Sequence, residues 1–207
     1  MASPFDYLDS MAWDVVISAV LLGIAALRLP YKASSDSVEE RGKNLRLGFA
    51  AAIGASGLYL FITGIAISIT WPFGFPYGAQ FTAPAYAGGQ YNILFGGVAA
   101  LGGLALLATS VALFFNASLS TVSYFAVVAG IYAVVDAYAM ISAGLTKAPE
   151  LSALGYLAFA AAAFLSVPAT HSDNKWLRRL FAVFAFLFAI AWLYQAANFT
   201  LAHLGVI

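Results

Sequence analysis

Six long apolar stretches, none with a Lys or Arg in its middle, dominate this chain: 11–29, 47–70, 92–115, 121–145, 151–168 and 180–202. A helix needs roughly 20 mostly apolar residues to cross a bilayer. A β-barrel would need alternating strands of about 10 residues. Runs such as 157–165 (LAFAAAAFL) do not alternate, and Ala favours helix over strand. The expected fold is therefore all-α, a single polytopic bundle over 1–207 with six transmembrane helices. The turns joining the third, fourth and fifth helices are about five residues each, so neighbours there run antiparallel.

Composition supports this. Charged residues make up 9% of the chain and the net charge is zero. A soluble domain carries about 25% charged residues, and an uncharged chain this apolar would tend to precipitate in water. A soluble globule, a disordered chain and a nucleic-acid binder with a clustered basic face are excluded. There is no cysteine, which excludes disulfides, thiolate catalysis, iron–sulfur clusters and covalently attached haem.

Counting bases by side gives the orientation. Arg28, Lys32, Arg41, Lys43, Arg46, Lys175, Arg178 and Arg179 fall on one side, and Lys147 alone on the other. The 1–2 and 5–6 loops are thus expected in the cytoplasm of a multi-pass cell-membrane protein, with both termini outside. The first helix is not read as a cleavable signal, because Asp6 and Asp9 precede it and no base does. Both sequons, at Asn116 and Asn198, are read as accidental.

The loops suggest three local roles. Ser37 and Glu40 are spaced as a capping box, so the second helix is expected to start in the cytosol near Ser37. Lys175, Trp176, Arg178 and Arg179 read as an interfacial lipid anchor. The loop from Trp71 to Gln90 has no charge and is rich in aromatics, Pro and Gly. Trp71, Phe73, Phe75 and Tyr77 are its candidate lid residues.

Two short stretches carry a resemblance. Thr70-Trp71-Pro72 closes the second helix and Tyr91-Asn92-Ile93-Leu94-Phe95-Gly96 opens the third. Together with the helix pattern they resemble an archaeal family of six-span integral membrane proteins of unknown function. The resemblance implies a fold and a membrane location, and no reaction.

Polar residues inside spans are functional candidates, because a charge at a helix centre costs at least about 2.5–3.5 kcal/mol. Asp14 lies about 5 Å from the outer end of its helix and Asp136 about 14 Å below it, at 1.5 Å per residue. Asp136 must be protonated, hydrogen-bonded, hydrated or bound to a cation. Tyr132 shares its face, and Gln195, Asn198, Asn92 and Asp14 fall in the same outer half. They are expected to form an outward-facing polar pocket. Asp14, Asp136 and His203 have the composition of a weak metal site. No catalytic set and no cofactor is predicted. Gly64/Ser68, Gly96/Ala100 and Ala99/Gly103 supply small-xxx-small packing faces.

The leading functional reading is a non-enzymatic subunit or scaffold, with the bilayer, other membrane subunits or a second copy as partners. The alternatives are a proton- or cation-coupled carrier of small solutes using Asp136, and a quinone- or metal-dependent redox subunit.

Overall fold

The computed structural model describes residues 7–29, 36–69, 87–146, 148–172 and 174–203. These contain six helices and no strand: α1 (Tyr7–Arg28), α2 (Asp36–Ile69), α3 (Ala87–Phe114), α4 (Leu119–Ala143), α5 (Pro149–His171) and α6 (Lys175–His203). All six are long and apolar enough to cross a membrane.

Local chemistry sets the helix ends. Asn116 takes the left-handed conformation (φ 54°) in the turn between α3 and α4, which Asn tolerates better than most residues. Ser118 caps α4 by accepting from the Ser120 N–H. Gly144, at φ 60°, ends α4 and returns its N–H to the Met140 carbonyl. Pro149 opens α5, where its missing N–H costs nothing. The sequence reading stops the fifth span at Pro168, yet α5 runs on to His171. A proline this near the C-terminal end breaks only one hydrogen bond of the last turns.

Each helix packs chiefly against its chain neighbours, and α1 closes onto α6. The bundle is therefore a ring, with alanine as its main buried residue. Large apolar side chains point outward instead: Ile62, Val135 and Ile190 are 57%, 60% and 64% exposed. Small inside and large outside is the pattern of helices packing closely within lipid. An apolar surface this extensive needs a bilayer to cover it.

The tightest seam joins α2 and α3. A Cβ on Gly64 would stand 2.8 Å from the Gly96 carbonyl oxygen, and one on Gly103 equally close to the Gly57 carbonyl oxygen. Two glycines per helix, seven residues apart, let the backbones touch. Ser110 of α3 adds a hydrogen bond to the Ala50 carbonyl of α2 at 2.6 Å.

Candidate functional site

Along α4 the buried stripe is Ala129, Ala133, Asp136, Ala137 and Met140. Asp136 is 5% exposed. Among the described residues no donor reaches its buried Oδ2. Its carboxyl lies within electrostatic reach of the phenols of Tyr132, one turn earlier, and Tyr156 of α5. Tyr156 donates to the Leu94 carbonyl at 3.0 Å, tying α5 to α3. Tyr132 lies over Gly97, where a Cβ would come 2.7 Å from its Cζ.

The other candidate residues fall into separate groups. Asp14 sits between α1 and α2, where its Oδ2 accepts from Ser56 Oγ at 2.8 Å. Ser18 Oγ meets Ser56 Oγ at 2.5 Å and also donates to the Asp14 carbonyl. Gln195 of α6 donates to Ser152 of α5 at 2.9 Å, and Ser152 meets Thr146 at 3.0 Å. Asn198 is half-buried one turn further along α6. The structure thus places Asp14, Asp136 and Gln195 at three different helix pairs. Ser18, Ser152 and Tyr156 are the partners that sequence reasoning missed. For Ser18 the available signal was its position one turn after Asp14.

The side chains of Asn92 and His203 lie outside the described residues, as do the lid candidates Trp71, Phe73, Phe75 and Tyr77. Among the described residues no three His, Cys, Asp or Glu side chains are grouped to hold a metal. Asp14 and Asp136 belong to different helix pairs.

A cavity of about 700 Å³ runs inside the ring and is lined by all six helices. On α1 its lining extends from Met11 through Ser18 and Leu22 to Leu29, which is about 27 Å of helix. At the α1 N-terminal end the lining residues Met11, Phe95, Tyr156 and Trp192 are all under 10% exposed. Trp192 holds that end shut, with ring centroids 6.0 Å from both Phe95 and Tyr156 and 6.2 Å from Phe188. At the other end Lys43, Asn116 and Ser118 line the cavity and are exposed, so it opens there. On α4 the lining ends at Ala126. Asp136, Tyr132, Gln195, Asn198 and Asp14 are not on the cavity wall. Tyr156 lines the closed end and lies within electrostatic reach of Asp136.

Among the described residues three cations line the mouth. Lys43 is exposed, while Arg46 and Arg178 are half-buried. Arg178 Nη2 donates to the Leu29 carbonyl at 2.8 Å, joining α6 to the end of α1. Arg46 Nη1 donates to Asn116 Oδ1, whose left-handed backbone presents that side chain. The Nε of Arg46 is buried and has no acceptor among the described residues. Of the anchor candidates, Trp176 is 72% exposed with the Arg179 guanidinium 5.0 Å over its ring. Arg178 turns the other way, to the mouth.

A ring of six apolar helices with large residues outward defines an integral membrane protein of the helix-bundle class. Residues 1–205 match the family described as Protein of unknown function (DUF981), and the chain belongs to that family. No curated protein and no solved structure is a match for the chain.

Proposed function

We propose that this is a non-enzymatic membrane receptacle, which takes a long apolar chain into its ring of helices. One observation carries the reading. The cavity of about 700 Å³ falls within the roughly 300–1,000 Å³ of ligand sites, and its apolar walls extend for most of the bilayer's depth. The basic mouth and the positive-inside rule support a cytoplasmic opening, with both termini outside. Binding supplies the test. Gly102 lines the cavity, and a Cβ there meets only Phe159 Cζ at 4.0 Å. Gly102→Phe should obstruct the lumen and lower the amount of lipid that co-purifies, measured by native mass spectrometry. A variant that retains lipid as well as the parent contradicts the reading.

A second reading, proton- or cation-coupled transport of a small solute, is favoured by Asp136, whose buried Oδ2 has no donor among the described residues. Asp136→Asn should then abolish ion-dependent uptake into proteoliposomes. Unchanged flux removes that reading.

A further inference from the structure

We infer that the mouth formed by Lys43, Arg46 and Arg178 is a headgroup site for a phosphate monoester, and that the occupant is a long-chain lipid phosphate with its tail in the lumen. This assignment rests on the receptacle reading above. Three features support it. First, the cations come from two helices on different sides of the mouth, α2 and α6, and line the same opening. Basic residues that only set topology need not converge on a hole. Second, Arg46 is positioned for a ligand. One nitrogen is fixed by Asn116, while the buried Nε lacks an acceptor among the described residues. A buried donor without a partner is costly and calls for an explanation. A phosphate oxygen beside it would supply the missing acceptor, and the guanidinium fork suits phosphate geometry. Third, charge and apolarity are segregated. The cations stand at one end, while the other end is closed by Met11, Phe95, Tyr156 and Trp192. An amphiphile with one anionic head and one long tail matches both ends at once.

A phosphate monoester carries about −1.5 to −2 charges at neutral pH, against −1 for a carboxylate. Lys43 and Arg46, together on α2 at the mouth, favour the former. No covalent step is involved, and the site binds and orients.

The test is titration of the purified full chain in mild detergent with hexadecyl phosphate, hexadecanoate and hexadecanol, read by native mass spectrometry. Hexadecyl phosphate should bind more tightly than hexadecanol by about tenfold or more, the worth of one charge-assisted hydrogen bond. That preference should vanish in Arg46→Gln and shrink severalfold in Lys43→Gln, while hexadecanol binding stays unchanged. Lys43→Gln leaves the Arg46–Asn116 link intact, so the test stands even if Arg46→Gln misfolds. Equal binding of phosphate and alcohol overturns the headgroup site and leaves the receptacle. Hexadecanoate binding as tightly as the phosphate overturns the assignment of a phosphate. A preference that persists in both variants overturns the placement at these residues. Failure of all three amphiphiles to bind removes the receptacle and the headgroup site together.

Discussion

The guanidinium of Arg178, at the start of α6, donates from Nη2 to the backbone carbonyl of Leu29, just past the end of α1, at 2.8 Å. The bond closes the ring of helices where the first and last meet, at the rim of the cavity. Carbonyls at a helix C-terminus lack partners within the helix, and Arg178 supplies one to Leu29. Arg178→Gln should lower stability by about 1 kcal/mol, since the bond is charge-assisted but only partly buried. Thermal unfolding in detergent checks this, and an unchanged midpoint would show that the clasp contributes nothing.

Adjacent glycines on α3 should respond in opposite ways. Gly103→Ala forces a Cβ to 2.8 Å from the Gly57 carbonyl oxygen, and should cost roughly 1–3 kcal/mol of overpacking strain. Gly102→Ala meets nothing closer than 4.0 Å and should be neutral or gain up to about 1 kcal/mol of helix propensity. Unfolding of the two variants under one condition decides, and equal effects would contradict the close α2–α3 seam.

Asp14 and Ser56 should be coupled. Ser56→Ala leaves Asp14 Oδ2 without its donor and should cost about 1–3 kcal/mol. In a double-mutant cycle with Asp14→Ala the losses should fall short of additive by at least about 0.5 kcal/mol. Additive losses would mean the pair does not stabilise the α1–α2 contact.

Asp136 should be a residue kept at the expense of stability. Its buried Oδ2 lacks a donor among the described residues, and an orphaned buried polar group costs about 1–3 kcal/mol. Asp136→Leu, which keeps the branching and the number of side-chain heavy atoms, should therefore raise the thermal midpoint. A lowered midpoint would make Asp136 structural and weaken the carrier reading.

Much of the fold is legible in the residues, because the bilayer imposes one strong rule. Every backbone polar group must be paired inside a span, so apolar stretches of sufficient length become helices. Packing order is another matter. Helices apolar on all sides have no polar face to show which side turns inward, and nothing in the first and last spans marks them as neighbours. The inward side is carried by small residues, such as Gly64 and Gly96, whose meaning depends on what lies opposite. The candidate site was harder still. Asp14, Asp136 and Gln195 fall in the same half of the bundle, which sequence gives. Their position around the ring, which separates them into three groups, it does not. Lys43, Arg46 and Arg178 are visible as charges near helix ends, but their meeting at one opening depends on ring closure by α1 and α6.

A photoreactive alkyl phosphate with a diazirine at the end of its chain tests the receptacle most directly. With the probe bound to the purified protein and irradiated, the adducts should map to peptides holding Phe95, Tyr156 and Trp192, at the closed end of the lumen. Adducts confined to outward-facing residues such as Ile62, Val135 and Ile190 would show that the chain lies on the outer surface, and would contradict the account.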